Sequence, residues 1–243
     1  MLQKAISYLV GLGEEAAKPE VLEIAGKTYC TKDLIRYGKE EKAEPLTASS
    51  LTSLIDYIKG RKEELRSSMI LHVVSPTKVR LLSGLLEERD RETLFEVTTN
   101  PNGFEFDRYY SQEDFVINMQ TAFVQSEETE LILKVAGNVE NKATANYGDD
   151  GCTQKTTIKR GIASREDVLV PNPVVLAPYR TFLEVEQPES KFVFRIKEGS
   201  GGEPNFKLVS ADGGLWKYAA IKGIKEYLHN ALQDEKLDIT IIG

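Results

Sequence analysis

Cysteine and histidine are nearly absent: Cys30, Cys152, His72 and His229 are all that 243 residues contain. Two cysteines so far apart in sequence exclude a disulfide framework and a cysteine-based zinc site. Two histidines exclude a histidine-rich metal centre. No apolar run approaches the ~20 residues of a membrane-spanning helix. The first residues hold one lysine and a short apolar stretch, then Gly11 and Gly13 ahead of Glu14 and Glu15. That is not the form of a signal peptide. The patterns Gly-x-Ser-x-Gly and His-Glu-x-x-His do not occur, which removes the commonest hydrolase signatures. Positive charge is also in short supply, with 31 Lys and Arg against 38 Asp and Glu, a net charge of −7. A general nucleic-acid binder is usually basic, so that class is disfavoured, although a local basic patch is not excluded. The expectation is a soluble intracellular protein that is not an enzyme and holds no metal or cofactor.

A hydrophobic content of 41% and a charged content of 28% suit a globular chain with an ample core. Leu2, Ile6, Leu9 and Val10 have helical spacing, with Gly11 and Gly13 expected to end that helix. Val21–Ile24 and Lys27–Cys30 flank Ala25-Gly26 as a short hairpin. A helix is expected from Ser49 or Ser50, with Leu51, Leu54, Ile55 and Ile58 on one face. Met69 to Val74 is almost continuously apolar and reads as a central strand covered on both faces. It is followed by a strand Val79–Leu82 and a hairpin of Leu94–Thr99 with Phe104–Tyr109 around Asn100-Pro101-Asn102-Gly103. Ser111 with Asp114 is a capping box for a helix lined by Phe115, Met119, Ala122 and Phe123. Ser126 opens another through Leu131, Ile132 and Val135 to Gly137.

From Asn138 to Gly151 the composition turns to Asn, Ala, Thr, Gly and Asp, which places a boundary between an N-terminal α+β subdomain, 1–138, and a C-terminal subdomain, 139–243. Thr153–Arg160 and Val168–Val170 read as strands. Then comes a predicted hairpin of Thr181–Glu186 with Lys191–Ile196, turning through Gln187-Pro188-Glu189-Ser190. Its register would bury Leu183, Val185, Phe192, Phe194 and Ile196. The other face would carry Arg180, Glu184, Glu186, Lys191 and Arg195. Gly199–Gly202 connects to a strand Phe206–Val209. Asp212 caps a long helix with Leu215, Tyr218, Ala219, Ile221, Ile224, Leu228, Ala231 and Leu232 on a broad face. Leu237–Ile242 is a last apolar strand, whose edge is suited to pairing with a second copy. Strands in runs and helices in runs give an α+β class: antiparallel meander and hairpins with helices packed on one face.

Several groups invite a chemical reading. Asp149 and Asp150, in Tyr147-Gly148-Asp149-Asp150-Gly151, would offer oxygen ligands. The calcium-loop spacing is missing, and Asp with Gly is ordinary turn chemistry, so the turn reading is preferred. Gly199–Gly202 lacks the Gly-Lys-Ser/Thr of a phosphate loop and precedes a strand. Glu96, Glu105 and Asp107 share one face of the predicted Asn100–Gly103 hairpin, where an exposed acidic face is commoner than acid–base catalysis. His72 reads as a core histidine. His229 sits near a helix C-terminus, which favours a cation. The best anion site is basic: Lys155, Lys159, Arg160 and Arg165, joined by Arg180, Lys191 and Arg195 if their strands share a sheet, with Tyr179 or Trp216 to stack a base. Set against it is a solvated face in which these cations pair with Glu166, Glu184 and Glu186.

Pro171-Asn172-Pro173-Val174-Val175-Leu176-Ala177-Pro178-Tyr179-Arg180-Thr181-Phe182, continued by Glu184 to Ser190, resembles a distantly YfdQ-like family of phage and prophage proteins. The resemblance takes in Gly148-Asp149-Asp150-Gly151 with Gln154, Ala211-Asp212-Gly213-Gly214 with Trp216, and loosely Thr52–Lys59. It is strongest over 148–216. What it implies is origin, because the family offers no catalytic residues to carry over. The expected role is a non-catalytic binding protein in the cytoplasm of the host bacterium. Its partner would be a nucleotide signal or a host defence protein. The alternative is an accessory of phage DNA replication or recombination, and a metal-dependent enzyme using Asp149 and Asp150 comes last.

Overall fold

A computed structural model of the chain describes residues 2–32, 42–60, 68–86, 89–139, 153–160, 164–233 and 238–243, with the backbone alone for 153–160 and 164–169. The Asp149–Asp150 loop and Cys152 lie outside these residues. So do the side chains of Lys155, Lys159, Arg160 and Arg165. The chain divides into two units, Met1–Lys42 and Ala43–Gly243.

In the first unit, helix α1 spans Leu2–Ala17. The expected stop at Gly11 and Gly13 is not there. Glycine inside a helix costs about 1 kcal/mol relative to alanine but does not forbid it. The helix ends where Lys32 donates its ammonium to the carbonyls of Ala16 and Ala17, satisfying C-terminal acceptors that have no intrahelical partner. Strands β1 (Val21–Ile24) and β2 (Lys27–Cys30) form the expected hairpin. Ala25 and Gly26 both take positive φ, 52° and 74°, the geometry of a two-residue turn matched to strand twist. No residue of α1, β1 or β2 is buried.

In the second unit the elements run in this order: β3 (Leu46–Ala48), α2 (Leu51–Gly60), β4 (Met69–Ser75), β5 (Lys78–Ser83), β6 (Thr93–Thr98), α3 (Gln112–Thr121) and α4 (Glu127–Asn138). They continue with β7 (Thr153–Arg160), β8 (Ser164–Pro171), β9 (Val174–Leu176), β10 (Ser190–Glu198), β11 (Pro204–Ser210), α5 (Leu215–Leu232) and β12 (Ile239–Ile242). The class is α+β, as expected. A five-stranded sheet has the order β12-β4-β5-β6-β3, with an antiparallel meander at its centre and a parallel strand at each edge. The apolar stripe of α2 (Leu51, Leu54, Ile55, Ile58) and that of α5 (Ile224, Leu228, Leu232) pack on one face of this sheet, against Leu71, Val79, Leu81 and Val97. The opposite face is only half covered. β4 therefore alternates buried with less buried residues instead of being enclosed on both sides, and His72 lies on the open face rather than in the core.

A second core joins the three-stranded antiparallel sheet β9-β10-β11 to α3 and α4. It is rich in aromatics: Phe206 stacks on Phe115 at 5.1 Å, and Phe194 lies 6.1 Å from Phe206. Ser111 and Ser126 cap α3 and α4 as their sequences specify. Val135 and Ala136 of α4 share this core with Val174, Phe192 and Leu208, so residues from both sides of the expected 138/139 boundary meet in it.

Two expected hairpins are not formed. Phe104–Tyr109 does not pair with β6. The chain there turns away and runs beside β11, with Tyr110 and Phe206 exchanging both backbone hydrogen bonds. Glu96, Glu105 and Asp107 are therefore not neighbours on one face. Glu96 pairs with Lys78 and Arg80, and Glu105 pairs with Arg108. Likewise Thr181–Glu186 is not a strand, and β10 pairs instead with β9 and β11. The cause is Gln187, which is buried. Its carbonyl oxygen accepts the N–H groups of Arg180 and Thr181, while its amide donates to the carbonyls of Phe182 and Val185. One side chain thus supplies what a ladder would otherwise supply. The loop it organises drives Phe182 and Val185 into the first core and leaves Leu183 74% exposed.

Candidate functional site

The expected basic cluster is divided by this architecture. Arg180, on the Gln187 loop, turns inward. Its guanidinium lies 4.2 Å from the centroid of the Trp216 ring and 5.8 Å from that of Phe192. Nη2 donates to the Ser190 hydroxyl and to the Pro188 carbonyl, while Nε is buried without a hydrogen-bond partner among the described residues. Ser190 passes the contact on by donating to Asp212 at 2.6 Å. Burial pulls the Arg180 guanidinium down to about 10, with Asp212 opposing the shift. Burial also pushes Asp212 up, but hydrogen bonds from Ser190, the Gly214 N–H, Ser210 and the Trp216 N–H outweigh it, and the carboxyl ends below its usual range. Arg180, Ser190, Asp212 and Trp216 thus form a joint between β10 and the start of α5. Of the predicted ligands, it unites Arg180 with Trp216 alone. Tyr179 is half-buried and its N–H donates to the Ala122 carbonyl.

Arg195 belongs elsewhere. On β10 the even-numbered residues Ser190, Phe192, Phe194 and Ile196 point into the second core, so Lys191, Val193, Arg195 and Lys197 line the opposite, solvent face. β11 adds Asn205, Lys207 and Val209 to that face, with Arg195 directly across from Lys207 and Lys197 across from Asn205. Because Tyr110 is buried beside Phe206, its neighbour Tyr109 falls on the solvent side. Its ring receives two ammonium groups: Lys197 Nζ stands 3.8 Å from the centroid and Lys207 Nζ 4.8 Å. Neither lysine has a salt bridge among the described residues. The strand positions on this face, Lys191, Val193, Arg195 and Lys197 of β10 with Asn205, Lys207 and Val209 of β11, carry four cations and no carboxylate, while Glu198 and Glu203 stand at the turn that joins the two strands.

Like charges placed directly across a strand pair are destabilising on their own, and a ring can accept the quadrupole attraction of two ammoniums only partly. Arg195 and Lys207 are the pair directly across, and Lys197 is diagonal to Lys207; a phosphate or carboxylate between the two lysines would offset the positive charge gathered at Tyr109, whose phenol face offers a surface for a planar group. Sequence reasoning missed Lys197, Lys207 and Tyr109 because Tyr109 was assigned to a hairpin with Leu94–Thr99. The parity of β10 alone, Lys191-x-x-x-Arg195-x-Lys197, already marked a basic solvent face.

Among the described residues no group of three His, Cys, Asp or Glu side chains is arranged to hold a metal ion, and no helix is long and apolar enough to cross a membrane. Compared with known proteins, the chain matches no family model, no curated protein and no solved structure.

Proposed function

We propose that this chain is a phage- or prophage-encoded, non-catalytic binding protein that captures a phosphate-bearing, base-containing ligand of the nucleotide class on the solvent face of the β9-β10-β11 sheet. Acting in the host cytoplasm, it would sequester a nucleotide signal. The observation that carries this reading is the convergence of Lys197 and Lys207, without acidic partners among the described residues, on the ring of Tyr109. The lysines supply the anion contacts and Tyr109 the stacking face. The Arg180–Trp216 pair supports the reading less, because its guanidinium is already engaged with Ser190 and Pro188.

Calorimetric titration of the full chain with a panel of linear and cyclic nucleotides, with inorganic phosphate as a comparison, tests it. A paired Lys197→Ala, Lys207→Ala variant is expected to weaken nucleotide binding at least tenfold, and Tyr109→Ala to weaken nucleotide binding while leaving phosphate binding unchanged. Absence of binding across the panel, or binding indifferent to these residues, would overturn it. A second reading, an accessory of phage DNA replication or recombination, is favoured by the continuation of the cationic row along β10 to Lys191. It predicts retention of single-stranded DNA that falls steeply with salt.

A further inference from the structure

Among the described residues, one outer edge of the five-stranded sheet is left unpaired. At one end, β3 is only three residues long, a common way of blunting an edge. At the other end, β12 is Ile239-Thr240-Ile241-Ile242, with no lysine, proline or bulge, and it keeps an unbroken parallel register with β4 from Ile239↔Met69 to Ile242↔His72. No described strand lies beyond it. Charge, proline and bulging are how proteins keep such edges from pairing with another chain, and β12 has none of the three.

The direction of its backbone groups says what it can pair with. The Met69 N–H donates to the Asp238 carbonyl at 3.1 Å. Carbonyls and amides alternate sides along a strand, so Thr240 also faces β4, and Ile239 and Ile241 direct their N–H and C=O groups outward. We infer that β12 pairs antiparallel with β12 of a second copy about a two-fold axis at Thr240. In that register Ile239 lies opposite Ile241 of the other copy. Each such pair exchanges two backbone hydrogen bonds, and the two pairs together use all four outward groups of each strand.

Side chains fit the same axis. Ile239 and Ile241 pack against the first core, so in the pair the apolar layers of two copies become continuous across the junction. Thr240 is exposed on the open face and meets its own counterpart, a favourable cross-strand pair. Ile-Thr-Ile reads the same in both directions, as an isologous contact requires. Beside Ile241 a cleft is lined by Lys225, Glu226, His229 and Asn230 of α5. A row of mixed sign can be complemented by its own two-fold copy.

Light scattering of the full chain over a concentration series is expected to give a mass twice the 27.2 kDa of one chain. Thr240→Lys sets two ammonium groups face to face about 4.5 Å apart at Cα, and Thr240→Glu does the same with carboxylates. Each alone is expected to weaken association at least tenfold, and an equimolar mixture of the two is expected to restore it. In a Cys30→Ser, Cys152→Ser background, Thr240→Cys is expected to form a disulfide-linked dimer under mild oxidation that the background chain, without cysteine, cannot form. Circular dichroism confirms that each variant is folded. A monomer mass throughout for the parent chain, or a dimer that ignores charge at position 240 and fails to cross-link there, would overturn the inference.

Discussion

A carboxylate from position 184 supplies what the N-terminus of α2 needs. Glu184 accepts the N–H of Leu51 at 2.7 Å and that of Thr52 at 3.4 Å, across 133 positions of sequence. It satisfies donors that a helix leaves open and meets the positive end of the helix dipole. Ser50 adds a weaker contact to the Ser53 N–H at 3.3 Å. Glu184→Ala is expected to lower stability by about 1 kcal/mol in urea denaturation, and Glu184→Gln by less, since an amide oxygen still accepts. Glu96 is a second residue whose contacts set a measurable quantity. Hydrogen bonds from Lys78 and Arg80 hold its carboxyl below the ordinary glutamate value. A folded-state value below the unfolded one contributes stability at neutral pH that disappears as acid titrates the group below its ordinary range. Glu96→Gln is therefore expected to cost about 0.5–1 kcal/mol at pH 7 and to be indistinguishable from the parent chain once both states are protonated. Denaturation curves at neutral and strongly acidic pH compare the two.

At the scale of elements, the joint between β10 and α5 is the clearest case of a helix positioned by something outside itself. The N-cap position of α5 is Gly214, with φ of 87° and no side chain to cap. Asp212 performs that role from two residues upstream, held by Ser190 and Ser210. Ser190 is buried, so Ser190→Ala would leave both the Arg180 guanidinium and Asp212 short of a partner, an expected cost of about 1–3 kcal/mol. Because the two residues act in one network, Ser190→Ala and Asp212→Ala combined are expected to cost less than the sum of the two. A double-mutant cycle by denaturant unfolding reads the difference. Elements with their own local signals were legible in the sequence: the capped helices α3 and α4, the stripe of α2, the Ala25-Gly26 turn, and both strands β7 and β8. What was not legible depended on residues far apart. Thr181–Glu186 alternates like a strand, yet Gln187 answers its backbone groups and Phe182 is pulled into a core built from β4, β5 and two helices. In α5, Leu215 and Tyr218 have the right spacing for the buried face but are 74% and 81% exposed. The residues of this helix that join the first core begin only at Ile221. Periodicity states which residues share a face; it does not state how much of that face finds a partner.

At the scale of the whole unit 43–243, two aromatic and aliphatic cores are threaded by one connection. Leu176 and Phe192 line the second core, and between them the Gln187 loop delivers Phe182 and Val185 to the first. The chain then returns through α5 and β12 to complete the first sheet, so the second core is enclosed between parts of the first along the sequence. This crossing fixes where the basic face can be: β10 emerges from the joint with its even residues committed to the core, and its odd residues, Arg195 and Lys197 among them, have nowhere to turn but to solvent. It also predicts how the unit unfolds. Phe182 is fully buried, and Phe182→Ala is expected to cost about 3–5 kcal/mol. Because its loop is tied to Ser190 through Arg180, and because cooperative units of this size unfold all-or-none only when their parts are coupled, the loss should reach both cores together. Trp216, the single tryptophan, stacks on Arg180 at the joint and reports there by fluorescence, while far-UV circular dichroism reports on both sheets. Coincident transitions by the two probes, displaced equally to lower denaturant in Phe182→Ala, are the expected result. A fluorescence transition that moves while part of the dichroism signal stays in place would mean that the cores stand independently and that the loop merely passes between them.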